Sequence, residues 1–67
     1  MEDAVAAIGR NIARFRRLRG LSQEELAYAA EVRQAYLSQL EAGKRNPTIR
    51  TLLRIATALN VSLADLI

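Results

Sequence analysis

Apolar residues recur along this chain at intervals of three and four, which is the spacing of amphipathic helices. The first apolar stripe occupies one helical face and consists of Val5, Ile8, Ile12 and Phe15. Gly20 follows this stripe, and glycine readily takes the left-handed conformation that ends a helix. The pattern predicts a first helix that begins at about residue 3 or 4 and stops at Gly20.

The segment 21–41, LSQEELAYAAEVRQAYLSQLE, predicts two short helices joined by a turn. Ser22 and Glu25 have the spacing of a capping box, in which each side chain satisfies a free backbone N–H group. The second helix is therefore predicted over about 23–30, and the turn over 30–32.

A third helix is predicted over about 34–42, with Leu37 and Leu40 facing inward and Gly43 at its end. Its outward face holds amides and small side chains: Gln34, Ala35, Ser38 and Gln39. Surface helices more often carry Glu and Lys, and this face suits hydrogen bonding to base edges in a DNA groove. The alternative is a polar surface without a partner.

The C-terminal third predicts two further helices. Pro47 breaks the chain after the third helix, and Thr48 is the expected N-cap of a fourth helix that ends near Asn60. Ser62 and Asp65 then open a short fifth helix. The residues of the fourth helix predicted to pack inward are Ile49, Leu52, Leu53, Ala56 and Leu59.

The last residues are more apolar than the end of a chain requires. They include Val61, Leu63, Leu66 and Ile67. This composition indicates either a seam between two copies of the chain or a continuation into a larger protein.

Taken in order, these motifs resemble the Cro and phage-repressor family of Xre-type helix-turn-helix regulators. The resemblance covers about 8–67 and is carried by RxxRGLSQxxLA from Arg16, VxxxYLSxLExG from Val32, RNP from Arg45 and LxxIAxALxV from Leu52. It implies an all-α, lambda-repressor-like bundle of five helices in a single domain, residues 1–67, with the helix-turn-helix at about residues 22–42. It also implies that the third helix lies in the major groove of double-stranded DNA.

The resemblance implies a structural ion pair as well. An Arg at the position of Arg16 pairs in the family with the Glu of the third helix, here Glu41. We expect a partly buried pair that orients the third helix.

The turn departs from the family pattern at two positions. Glu31 stands where a left-handed Gly is usual, at a cost on the order of 1 kcal/mol. Arg33 replaces the Ser or Thr that usually caps the third helix, at a cost of about 0.5–2 kcal/mol. An Arg33 side chain that reaches a guanine or a phosphate would explain this departure. Small controller proteins of restriction–modification systems tolerate the same features, which indicates a similarity to that subfamily.

The predicted DNA contacts fall into two groups. The residues predicted to read bases are Arg33, Gln34, Ala35, Ser38 and Gln39. The residues predicted to contact phosphates, in part by the resemblance, are Gln23, Tyr36, Lys44, Arg45 and Asn46. Alternatives remain for the second group: Gln23 as an exposed amide, residues 44–46 as a solvated loop, and the Tyr36 ring packed against neighbouring helices.

Composition narrows the function further. The chain has neither Cys nor His, so thiolate sites and the usual acid–base and metal-binding side chain are lacking. No Gly-rich phosphate loop is present. We therefore expect no enzymatic activity, no cofactor, no metal and no small-molecule substrate. With no apolar run of about 20 residues and no signal-peptide pattern, we also expect no membrane partner and a cytoplasmic location, at the nucleoid when DNA-bound.

The net charge is +3, and all but one of the ten basic residues are Arg, whose planar fork suits phosphate. Arg10, Arg14 and Arg17 form a stripe on the first helix. Such a stripe is either a phosphate-facing surface or the solvated side that every soluble helix needs, and we favour the second interpretation.

These features predict a sequence-specific regulator of transcription that binds double-stranded DNA. We expect a homodimer, joined through the fifth helix and the end of the fourth, on a pseudo-palindromic operator with half-sites about 10 bp apart. The alternative is a protein-interaction module of the same fold, acting as an antitoxin or a bridging co-regulator.

Overall fold

The computed structural model describes residues 3–67, and this part of the chain contains five helices and no strand. The helices are α1 Ala4–Leu18, α2 Gln23–Ala30, α3 Gln34–Glu41, α4 Ile49–Leu59 and α5 Leu63–Leu66. Each lies where the sequence pattern predicted it, so the expected all-α architecture is confirmed.

Local side chains fix the start of most helices. At α2, Ser22 Oγ accepts from the backbone N–H of Glu25 at 3.0 Å, and the Glu25 carboxylate accepts from the Ser22 N–H at 2.8 Å. Ser62 and Asp65 form the same reciprocal box at α5. Thr48 caps α4 by accepting from Thr51 N–H at 3.1 Å. The predicted caps are therefore confirmed.

Two helices end on a left-handed residue other than glycine. Glu31 follows α2 with a φ of 60°, and Asn60 follows α4 with a φ of 58°. Asn tolerates this region because its short polar side chain bonds locally, whereas Glu has no such compensation. The strain expected at Glu31 is thus present in the fold.

All five helices contribute to one hydrophobic core. Its largest fully buried side chains are Ile12, Leu26, Leu37, Leu40, Ile55, Leu59 and Leu66. Because Leu37 and Leu40 are part of this core, α3 is held by burial on one side.

The prediction that Ile49 and Leu53 pack inward is wrong. Ile49 is 61% exposed and Leu53 is 49% exposed. Each residue turns a helix by about 100°, and Leu52, Ile55 and Leu59 define the buried side of α4. Ile49 and Leu53 consequently lie at the edge of that side.

A backbone approach at Gly9 sets the distance between α1 and α3. Gly9 is buried, and a Cβ there would clash with the carbonyl oxygen of Leu40 and stand 3.0 Å from that of Glu41. Further hydrogen bonds join α1 and its C-cap residue, Arg19, to the C-terminal part of the fold. Asn11 Nδ2 donates to Leu66 O at 2.9 Å, and Arg19 donates from Nε to the last carbonyl of α4 at 2.8 Å and from Nη2 to Asn60 O at 3.2 Å.

Candidate nucleic-acid interface

The outer face of α3 is open to solvent, as predicted. Its exposed residues are Gln34, Ala35, Ser38 and Gln39. The side-chain amides of Gln34 and Gln39 make no hydrogen bond to another residue of the described chain. A helix that is fixed by its buried leucines therefore presents two free amides, each with a donor and an acceptor, beside two small side chains.

Arg33 occupies the N-cap position of α3. Its backbone is extended, with φ −77° and ψ 144°, and its side chain makes no capping hydrogen bond. Arg33 is exposed, and within residues 3–67 its guanidinium has no partner. The loss of the usual cap is confirmed, and the freed side chain stands next to the amide-bearing face of α3.

The predicted Arg16–Glu41 ion pair is present and two-pronged. Arg16 Nε and Nη2 donate to the two oxygens of Glu41 at 2.7 and 3.0 Å, and Arg16 Nη1 donates to Leu21 O at 2.9 Å. The side chains are only 12% and 6% exposed. The hydrogen bonds and charge of Glu41 raise the pKa of Arg16 against the opposing effect of burial. The pair therefore joins α1 rigidly to the end of α3.

The same carboxylate also holds Gln23, the first residue of α2. Gln23 Nε2 donates to Glu41 Oε1 at 3.0 Å. This bond leaves the second N–H and the carbonyl oxygen of the amide available, at the helix end where unpaired backbone N–H groups favour an anion. No pattern in the sequence indicates this link, because the two residues meet only through the packing of α2 on α3. The phosphate contact of Gln23 stays a prediction.

Beyond α3, Lys44, Arg45 and Asn46 are exposed in the loop before α4. The guanidinium of Arg45 lies 5.0 Å from the centroid of the Tyr36 ring, within cation–π range. Tyr36 is half-buried, and its ring packs against the core. The interpretation that the Tyr36 ring packs against neighbouring helices is thus confirmed. The cation–π contact with this ring gives the guanidinium of Arg45 a preferred position. A phosphate contact by either residue stays a prediction.

The arginine stripe of α1 is exposed at Arg10, Arg14 and Arg17. The Arg14 guanidinium lies 4.9 Å from the centroid of the Phe15 ring. No helix of residues 3–67 is both long and apolar enough to cross a bilayer. In the same range, no three acidic, His or Cys side chains gather as a group that could hold a metal.

These features define a helix-turn-helix protein whose third helix is presented to solvent. A family model described as helix-turn-helix matches residues 12–66, and the chain belongs to this family of DNA-binding regulators of transcription.

Individual relatives show which members of this family the chain is similar to. The chain is 50% identical over 65 residues to the uncharacterized HTH-type transcriptional regulator y4dJ of Sinorhizobium fredii. The matched region covers 97% of this chain and 84% of that protein. It is 34% identical over 65 residues to the control protein C.SmaI of Serratia marcescens, with 97% and 77% covered.

A solved structure of a controller protein has the same fold as this chain. The restriction–modification controller protein C.AhdI of Aeromonas hydrophila superposes with a TM-score of 0.91 at 32% identity, covering 94% of this chain and 96% of that one. The similarity to controller proteins that the turn indicated is therefore confirmed.

Proposed function

We propose that this chain regulates transcription by sequence-specific binding to double-stranded DNA, with α3 inserted in the major groove. The observation that carries the proposal is the division of α3 into two sides. Leu37 and Leu40 are fully buried, while the amides of Gln34 and Gln39 are exposed and have no partner within residues 3–67. A rigid helix with unpaired donors and acceptors on one side matches what a base-edge reader needs.

The base-reading roles follow from side-chain chemistry. Gln34 and Gln39 can each bond adenine at N6 and N7 together, which gives about 1–3 kcal/mol of discrimination per base pair. Ala35 and Ser38 are small enough for close approach, and Ala35 can contact a thymine methyl. Arg33, with its free guanidinium at the start of α3, can bind a guanine or a phosphate.

The phosphate-binding roles surround that helix. The residues assigned to them are Gln23, Tyr36, Lys44, Arg45 and Asn46. Gln23 precedes α3 in the chain and Arg45 follows it. Contacts from these two residues to the DNA backbone would fix the position of α3 in the groove. These contacts supply affinity for any duplex and carry no sequence information.

The regulator acts as a homodimer in this proposal, through α5 and the end of α4. Support comes from apolar residues that the core leaves open at this end. Ile67 is 68% exposed, and Val61 and Leu63 are only partly buried. Two copies would bind a pseudo-palindromic operator with half-sites about 10 bp apart. A titration by sedimentation that shows only monomer at high micromolar concentration would contradict this part.

Selection of binding sites from a random DNA pool tests the proposal. We expect an enriched palindromic motif that is bound at least about 10³-fold more tightly than bulk DNA, with affinity that falls steeply as salt rises. A protein-interaction module would show weak binding that does not depend on sequence. Failure to enrich any motif would overturn the proposal.

A further inference from the structure

A concave apolar surface lies between the C-terminal end of α2 and one side of α4. Ala29 and Ala30 form one wall, and Ile49 and Leu53 form part of the other. The last two are the large aliphatic residues that the core leaves 61% and 49% exposed. Contiguous aliphatic side chains open to water around a concave surface are typical of an interaction site. We call this surface the α2–α4 groove.

Basic side chains border this groove on the α4 side. Arg50 and Arg54 lie four residues apart, each directly after one of the exposed aliphatic residues, and both line the groove. Within residues 3–67 neither guanidinium has a hydrogen bond or an ion pair. Among the described residues, Glu31 is the one acidic residue that lines the groove. Two unpaired positive charges against one negative charge favour an acidic partner.

We propose that the α2–α4 groove binds an amphipathic helix of an acidic partner protein. Two apolar side chains of that helix, four residues apart, would lie against Ile49 and Leu53, with the small side chains of Ala29 and Ala30 allowing close approach. Carboxylates on the flank of the helix would pair with Arg50 and Arg54. This is helix-in-groove recognition, in which spacing supplies the apolar contacts and charge selects the partner.

The groove is separate from the surface assigned to DNA, and it meets the end of α4, which we assign to dimerisation, at Thr57 and Ala58. No residue of α3, of the loop 44–46 or of α5 lines it. The partner can therefore be held while α3 occupies DNA, and the inference goes beyond the proposed function without depending on it. A domain with both surfaces would bring a second protein to the operator.

A designed helical peptide tests the inference directly. The probe is an alanine-based helix of about 16 residues with two leucines four apart and two glutamates four apart on the adjoining flank. Its matched control carries lysines in place of the glutamates. Titration into the full ¹⁵N-labelled chain should shift the amide signals of Ala29, Ala30 and Leu53 and leave those of Gln34 and Gln39 in place. The lysine peptide should bind at least about tenfold more weakly.

Variants of exposed residues test the two halves of the site without threatening the core. Leu53→Ser and the double change Arg50→Gln with Arg54→Gln should each weaken the glutamate peptide by about tenfold or more. Arg17→Gln removes an exposed arginine of α1 and serves as the control, with unchanged peptide binding. DNA affinity of Leu53→Ser should equal that of the parent chain.

Four results would overturn the inference. The first is equal binding of the two peptides, and the second is a set of shifts that maps to α3. The third is dissociation of the protein's own oligomer by Leu53→Ser, which would make the groove an interface between copies. The fourth is a loss of salt dependence of DNA binding in the Arg50→Gln, Arg54→Gln chain without any peptide effect, which would mean that the arginines contact phosphate. Loss of DNA specificity in other experiments would leave this inference standing.

Discussion

Gln23, at the start of α2, donates a hydrogen bond of 3.0 Å to Glu41, at the end of α3. The same carboxylate accepts two hydrogen bonds from Arg16 of α1. Three helices thus meet at one side chain that is 6% exposed. Glu41 therefore fixes the direction of α3 and also orients the amide that we assign to a phosphate.

Neutralising that carboxylate should destabilise the fold. Glu41→Gln removes the charge from a partly buried pair and weakens its hydrogen bonds, so we expect the free energy of unfolding to fall by about 1–3 kcal/mol. Urea denaturation measures the loss. Glu31→Gln, which neutralises an exposed glutamate that has no side-chain partner in the described part of the chain, should change the free energy of unfolding by no more than about 0.5 kcal/mol. Equal losses in the two variants would mean that the pair has no structural role.

The link between Gln23 and Glu41 should also be measurable in DNA binding. Gln23→Ala removes the amide that we assign to a phosphate, whereas Glu41→Gln frees that amide to change its orientation. Because both changes act on one contact, their effects on affinity should be non-additive by about 0.5–3 kcal/mol in a double-mutant cycle. Fluorescence anisotropy with a selected operator provides the affinities. Additive effects would show that Gln23 binds DNA independently of Glu41, or does not bind it.

Base readout and backbone contact should separate by mutation. Gln34→Ala and Gln39→Ala should each remove about 1–3 kcal/mol of discrimination at one base pair. Arg45→Ala should weaken binding to all sequences alike and reduce the salt slope by about one. Competition between operator and single-base variants, repeated at several salt concentrations, distinguishes these outcomes. If Arg45→Ala changes the sequence preference, its assignment to phosphate is wrong.

Acid should destabilise the chain through its two capping boxes. Hydrogen bonds from the backbone and hydroxyl of Ser22 hold the pKa of Glu25 below its ordinary value of 4.5, and Ser62 does the same for Asp65, below 3.8. The unfolded chain therefore binds protons first as pH falls. The stability from these carboxylates is present above their ordinary pKa values and is lost as pH falls through the lower folded values.

Thermal unfolding between pH 6 and pH 2 tests this dependence. In Glu25→Gln the amide can still accept the Ser22 N–H bond but cannot titrate, so the acid decline should become shallower. Arg17→Gln, which leaves the carboxylates unchanged, should keep the decline of the parent chain. An identical acid profile in Glu25→Gln would contradict the role of the box.

The left-handed residue after α2 offers a stabilising change. Glu31 has a φ of 60°, and glycine takes this conformation without the steric cost of a Cβ. Glu31→Gly should raise the free energy of unfolding by about 0.5–1 kcal/mol. Gly20→Ala is the converse control, because position 20 has a φ of 71° with open space around it, and it should destabilise. A loss of stability in Glu31→Gly would mean that the side chain of Glu31 stabilises the turn.

The parts of the fold that sequence predicted well are those set by neighbours in the chain. The box of Ser22 and Glu25 spans three residues, and the Thr48 cap of α4 bonds the backbone N–H group of Thr51, also three residues away. The exposed face of α3 followed from Leu37 and Leu40, since two buried positions on a helix leave little choice for the rest.

Other features depend on how the helices pack and had no local signal. Leu53 has the spacing of a core residue, but the buried side of α4 is centred on Leu52 and Ile55 and leaves Leu53 at its edge. The hydrogen bond from Gln23 to Glu41 joins two positions that come together only when the helices pack. Periodicity identifies which residues share a face, and only the assembled bundle decides how far that face is covered.

The contact of Gly9 with the backbone of α3 has a consequence for how such a protein can acquire a new operator. Side chains on the outer surface of α3 can be exchanged freely, since the inner spacing rests on main-chain atoms rather than on their size. Any larger residue at position 9 would instead push α3 away from α1 and shift together all the base contacts that we assign to α3. The preferred operator can therefore change one base pair at a time, by single substitutions on the outer surface of α3, while the packing of α3 on α1 stays the same.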